Sequence, residues 1–227
     1  MYESDTSIIC ASPGGWGSGN AVTVEVTFNG EDYTKANNTF YFYNIFDAFP
    51  RSGPSDGSAG SLAFLGSGFR NSSDIKCMID KIAYKPFEVK WDRIMCRIPK
   101  STYGDDFFGN VPLEVTVNGL DYHKMEGGFQ YYPQVIVHDI FPKTGPAKGN
   151  GIINFYGEKF RDDFPLARPS CRFGEYYGVG QVINENEMKC HIPNIQVMNQ
   201  TYLPYAALNN HSFVPGKHLF VFVSFTI

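Results

Sequence analysis

The sequence has no excess of positive charge, no long apolar run and no closely spaced pair of cysteines. Each absence removes a class of protein. Lys and Arg number 19 against 23 Asp and Glu, a net charge of −4. Nucleic-acid binding calls for a basic face, so no nucleic-acid partner is expected. The longest apolar run, His218 to Ile227, covers about half of the roughly 20 residues that a spanning helix needs. Its Phe and Val content reads as a strand, and no transmembrane span is expected. Cys-x-x-Cys is missing, which removes the usual zinc and redox spacings. Leucine and alanine are scarce and no long stretch carries a 3.6 period, which excludes a helical bundle. Met1-Tyr2-Glu3-Ser4-Asp5 has neither the basic start nor the apolar core of a signal peptide, so a mature chain or a piece of a longer one is expected.

What is present points the other way. The chain of 227 residues holds 23 Gly, 14 Pro, 14 Tyr and 20 Phe, and is 43% hydrophobic. Turn formers and aromatics in that proportion suit an all-β fold with a real core. An internal repeat organises it. Ile45-Phe46-Asp47-Ala48-Phe49-Pro50-Arg51-Ser52-Gly53-Pro54 matches Val137-His138-Asp139-Ile140-Phe141-Pro142-Lys143-Thr144-Gly145-Pro146. Leu62-Ala63-Phe64-Leu65-Gly66-Ser67-Gly68-Phe69 matches Ile153-Asn154-Phe155-Tyr156-Gly157-Glu158-Lys159-Phe160. Cys-x-x-Pro occurs at Cys10, Cys96 and Cys190. Val22 to Gly30 parallels Leu113 to Gly119, and Phe40-Tyr41-Phe42-Tyr43 parallels Phe129-Gln130-Tyr131-Tyr132. The expected division is half a repeat in 1–43, a complete repeat in 44–132, and a repeat lacking its last strand in 133–227. A unit of roughly 90 residues has the size of a small β-sandwich. Val22, Val24 and Val26 alternate with polar residues as a half-buried strand does, and Asn29-Gly30 and Asn118-Gly119 sit where a hairpin turn needs positive φ. Pro50 and Pro142 end the first strand of each repeat.

Cys77 and Cys96 are 19 residues apart, and so are Cys171 and Cys190. Equal spacing in two repeats predicts one internal disulfide each, with Cys10 unpaired or joined to a partner outside the chain. Buried free thiols are the alternative. Disulfides imply an oxidising compartment. Sequons at Asn37, Asn71, Asn199 and Asn210 are candidate glycosylation sites if the protein is secreted.

In order and spacing these motifs resemble the IPT/TIG domain. They are the Gly-Pro after the first strand, Gly157-Glu158-Lys159-Phe160, Cys171-Arg172-Phe173-Gly174, Cys190-His191-Ile192-Pro193, and the alternating strand with Asn-Gly. Cys77-Met78-Ile79-Asp80 departs from the Phe-Gly of the pattern. The resemblance implies tandem immunoglobulin-like β-sandwiches joined head to tail by very short linkers. It also implies one of two settings, rods and stalks of cell-surface proteins or a dimerisation module beside a DNA-binding domain. The paired cysteines and acidic charge fit the surface setting. The resemblance carries no catalytic residue.

Other chemistry is thin. Gly53-Pro54-Ser55-Asp56-Gly57 matches a nucleophile elbow in form, but proline precedes the serine, strands flank it, and the next repeat has Ala147 there; a turn is expected. His123, His138, His191, His211 and His218 are scattered, and neither a metal nor a cofactor site is expected. Asp105-Asp106 and Asp162-Asp163 lie in loops, where a calcium ion needs six to eight oxygens. Phe40 to Tyr43 and Phe129 to Tyr132 lack polar alternation. One face is expected to fill a sandwich and the other to pack at the next repeat, or to meet a partner chain or glycan.

The function expected is that of an extracellular structural or adhesive segment, not an enzyme. It would form a rod or a filament by stacking repeats. The alternative is a receptor ectodomain stalk that binds a protein ligand. The incomplete ends suggest either a window from a longer tandem array or strand addition between identical subunits. Neighbouring repeats or identical subunits are the first partners, and a protein or glycan ligand the second.

Overall fold

The computed structural model describes residues 2–12, 17, 19–195 and 200–223. Among these residues all strands are β and no helix is long and apolar enough to cross a membrane. The N-terminal part holds two antiparallel pairs, β1 (Tyr2–Ser4) with β2 (Ser7–Ile8) and β3 (Ala21–Val24) with β4 (Asn38–Tyr41). The middle part runs β5 (Asn44–Phe49), β6 (Ser52–Pro54), β7 (Ser61–Ser67), β8 (Lys76–Ile79), β9 (Ile82–Tyr84), β10 (Glu88–Lys90), β11 (Arg93–Arg97), β12 (Gly109–Val111), β13 (Leu113–Thr116), β14 (Tyr122–Lys124) and β15 (Phe129–Tyr132). The C-terminal part runs β16 (Ile136–Phe141), β17 (Thr144–Pro146), β18 (Ile152–Glu158), β19 (Ser170–Phe173), β20 (Tyr176–Asn184), β21 (Glu187–His191), β22 (Thr201–Tyr202), β23 (Pro204–Ala207), β24 (Val214–Pro215) and β25 (Phe220–Val223).

In the middle sandwich, β5, β7, β11 and β10 form one sheet and β9, β8, β13 and β14 the facing one, with β6, β15 and β12 as a third. Alternation puts Leu62 and Phe64 of β7, Ile94 and Cys96 of β11, and Leu113 and Val115 of β13 into a shared core. Cys77 on β8 and Cys96 on β11 are disulfide-bonded across it, with Cα atoms 6.5 Å apart. Cys171 on β19 and Cys190 on β21 are bonded in the same way at 6.2 Å. Both first strands bulge at the same place, where Asp47 and Asp139 accept hydrogen bonds from the amides of Ala48 and Ile140.

The C-terminal sandwich differs in one respect. Its strands β16, β18, β21, β20, β19, β23 and β24 make a continuous sheet. The link is β20, which pairs with both β21 and β19. Glycine allows this close wrap, because a Cβ on Gly178 would lie 2.1 Å from the His191 carbonyl and 2.8 Å from the Cys171 sulfur. In the middle sandwich the counterpart is split into β9 and β10. Pro86 lies between them and cannot donate to a ladder.

The end of the chain corrects the reading that the last repeat lacks its closing strand. In the middle repeat the closing strand β15 runs parallel to β6, with Tyr131 opposite Gly53. In the C-terminal repeat β25 runs parallel to β17, with Phe222 opposite Gly145. Phe220–Val223 therefore fills the closing position. The hairpin turn before it is present as well. Asn118 Oδ1 accepts from the Leu120 and Asp121 amides, and Asn29 Oδ1 from those of Glu31 and Asp32. Asn209 Oδ1 accepts from His211 and Ser212 in the same way. The left-handed position is Gly119 (φ 76°), Gly30 (φ 79°) and Asn210 (φ 58°). Asparagine is the non-glycine residue that tolerates this region best. The turn escapes a search for Asn-Gly for that reason alone.

The N-terminal pair repeats the β12–β15 pairing. Val22 lies opposite Phe40 as Val111 lies opposite Phe129. Phe129 is fully buried, whereas Phe40 is 45% and Phe28 87% exposed.

Candidate functional site

The junction between the middle and C-terminal sandwiches is the most built feature outside the two cores. Strand β15 ends at Tyr132 and β16 begins at Ile136. Alternation along β15 sends Phe129 and Tyr131 into the middle core. Tyr132 points the other way and is 1% exposed within the C-terminal core. Its ring stacks on Phe164 at 5.4 Å. Burial pushes the Tyr132 phenol above its usual range, so the neutral form is held. The preceding junction has the same design. Tyr43, the counterpart of Tyr132, packs against the middle core beside Phe69 at 6.5 Å.

Loops close around this plug. Phe108, just before β12, meets Phe164 at 6.3 Å, and the Arg161 guanidinium lies 3.4 Å over the Phe108 ring. Lys159 pairs with Asp106 across the junction. Asn209 Nδ2 donates to the Ser52 carbonyl at 2.7 Å in a buried position. His211 sits edge-on to Phe49 at 5.6 Å. Partial burial lowers the pKa of His211, which favours its neutral ring.

Magnitudes rank these contacts. An exposed ion pair such as Lys159–Asp106 contributes about 0–1 kcal/mol. A buried aromatic such as Tyr132 is worth about 3–5 kcal/mol on truncation. By these magnitudes the aromatic insertion outweighs the ion pair at this junction.

The residues singled out in the sequence do not converge on one site. Cys10 is free and exposed. Asn37, Asn71 and Asn210 are exposed on three separate loops, and Asn199 falls outside the described residues. Ser55 is fully buried; its amide donates to the Tyr132 carbonyl at 2.8 Å and its hydroxyl to the Asp105 carbonyl. That is a turn, not a nucleophile. Asp105 pairs with Lys100 at 2.6 Å, Asp106 with Lys159, and Asp163 with Arg161 at 2.7 Å. The Arg161 hydrogen bond holds Asp163 below the usual carboxylate range. These carboxylates face cations on the chain rather than one another. His138 pairs with Glu158 and His218 with Asp139. Among the described residues no three of His, Cys, Asp and Glu gather as a metal site would need. Sequence reasoning missed Phe108, Arg161, Phe164 and Asn209. Each gains its role from a partner in the other repeat.

The model of the IPT/TIG domain family matches residues 44–131 and 135–210. The chain belongs to the IPT/TIG family. It is also similar to solved structures of the plexin A4 full extracellular region. For domains 1 to 10 the identity is 20% over 89% of this chain and 18% of that one, with a TM-score of 0.46. For a second such structure the identity is 12% over 87% and 20%, with a TM-score of 0.42. The chain thus spans about a fifth of the length of these plexin structures. The adhesin InvE of Yersinia pseudotuberculosis aligns at 10% identity over 79% of this chain and 58% of that one, with a TM-score of 0.25. No curated protein matches the chain. Tandem IPT/TIG sandwiches are non-catalytic folds, and the junction of this chain offers stacked rings and a locked turn.

Proposed function

We propose that this chain is a structural or adhesive segment of an extracellular multi-repeat protein, in which IPT/TIG repeats stack into a semi-rigid rod. The observation that carries the reading is Tyr132. It ends one sandwich and is buried in the core of the next. Its place is shared by Tyr43 one repeat earlier, so the device recurs along the chain. An apolar insertion of this kind opposes the independent domain motion that is otherwise expected. The two disulfides and the exposed sequons support placement in an oxidising, glycosylating compartment. The protein acts by spacing and contact rather than catalysis. Neighbouring repeats are its first partners, and a protein or glycan ligand its second, as in a receptor stalk.

A filament made by strand donation between subunits is a weaker reading. Among the described residues β25 occupies the closing position of the C-terminal repeat, where a donor strand would otherwise add. Small-angle scattering on the purified chain tests the proposal. A rod has a cross-section of one sandwich and a length that stays the same between low and high salt. A profile that needs an ensemble of bent shapes would sink it.

A further inference from the structure

We infer that Asn210 is a glycan-bearing residue whose first sugar is seated in a cleft of the C-terminal sandwich. This rests on the extracellular reading above and goes further, because it selects one sequon and assigns it a binding surface. Three observations converge. Asn210 takes the left-handed turn position that is glycine in the other two copies, and it is exposed and followed by His211-Ser212. The turn is rigid, since Asn209 ties it to Ser52 in the neighbouring repeat at 2.7 Å. Asn210 also lines a cleft of about 400 Å³ between Arg168–Ser170 and the first half of β20; Asn71 lines one of about 420 Å³ beside Phe40 and Tyr41, and what sets Asn210 apart is its place on the turn tied to the neighbouring repeat. Tyr177 and Val179 border that cleft and are 52% and 74% exposed.

Such exposure at Val179 is unusual for a sandwich strand, and Tyr177 beside it extends the apolar strip. Phe213 braces the Tyr177 ring at 5.8 Å. A pyranose has an apolar face of C–H groups and a polar rim. The cleft offers the same two surfaces, the Tyr177–Val179 wall and the exposed Arg168 guanidinium. The bond is made before folding, on an extended Asn210-His211-Ser212. Asn210 Nδ2 attacks the anomeric carbon of an oligosaccharide carried on a polyisoprenyl pyrophosphate. The N–C bond forms as the C–O bond to phosphate breaks. The pyrophosphate leaves with the electron pair, and the amide loses one proton to the transferase base. Folding then brings the sugar over Tyr177 and Val179.

The test is the full chain expressed in a secreting eukaryotic cell, with site-resolved glycopeptide mass spectrometry and timed release by a peptide N-glycosidase under native conditions. Glycan is expected at Asn210. Covering roughly 55 Å² of apolar wall corresponds to about tenfold slower release there than at the open-loop Asn37. Tyr177→Ser with Val179→Ser should abolish that difference without changing occupancy at Asn210. Glycan at Asn37 or Asn71 but none at Asn210 overturns the site. Glycan at Asn210 that is released as fast as at Asn37 overturns the seat. A secreted chain with no glycan at any of the three overturns the inference and leaves the rod reading to its own scattering test.

Discussion

Truncating Tyr132 to alanine separates position in the sequence from position in the fold. By sequence Tyr132 is the last residue of the middle repeat. By packing it belongs to the C-terminal core, at 1% exposure and stacked on Phe164. A buried aromatic ring removes about 150–250 Å² from water, which at ~25 cal/mol per Å² is roughly 4–6 kcal/mol as an upper bound. Phe164, stacked on the ring, can relax part of the way into the space. The expected cost is therefore about 3–5 kcal/mol, the usual range for aromatic-to-alanine changes in cores. For a sandwich of this size one kcal/mol moves the melting point by about 4–8 °C. Differential scanning calorimetry should show the C-terminal transition falling by at least ~12 °C, with the middle one nearly unmoved. Tyr132→Phe keeps the ring and should stay within about 1 kcal/mol of the parent. If Tyr132→Ala lowers the middle transition instead, or costs under about 1 kcal/mol, the plug argument is wrong.

Three further outcomes follow from the same geometry. Replacing Cys171 and Cys190 together by alanine should destabilise the C-terminal repeat by about 3 kcal/mol on the chain-entropy account, read as a fall in denaturant midpoint with a steeper slope, because the unfolded chain loses its cross-link and exposes more surface. Asn209→Ala removes the acceptor for two turn amides and the donor to Ser52. It should cost about 1–3 kcal/mol and increase amide exchange at His211 and Ser212. His211 has a lowered pKa in the fold, so the unfolded chain binds the proton more readily. Its contribution is present above the ordinary value of 6.5 and is lost as pH falls through the lowered value. Thermal melts between pH 8 and pH 4, paired with His211→Gln, should show that part of the acid slope disappear in the variant.

Much of the fold is legible in residue order because it is local. Alternation at Leu62 and Phe64 places a strand face, and Asn118-Gly119 a turn, with no knowledge of distant partners. The duplicated 19-residue cysteine interval belongs to the same kind of signal. The closing strand was not legible. Phe220–Val223 reads like any buried strand, and its role is defined by lying parallel to β17, far away in sequence. The turn before it hid behind Asn210, which does in the left-handed region what glycine does elsewhere.

The sequence by itself determined the all-β class, the repeat, the family and the net charge of −4. Those follow from composition, period and short-range turn chemistry. Only the tertiary structure decided which core owns Tyr132, which loops clamp it, and which sequon sits on a turn tied to the neighbouring repeat. The reason is physical. Burial and ring stacking depend on what stands opposite a residue, and for Tyr132, Phe108 and Asn209 the opposite wall comes from the other repeat.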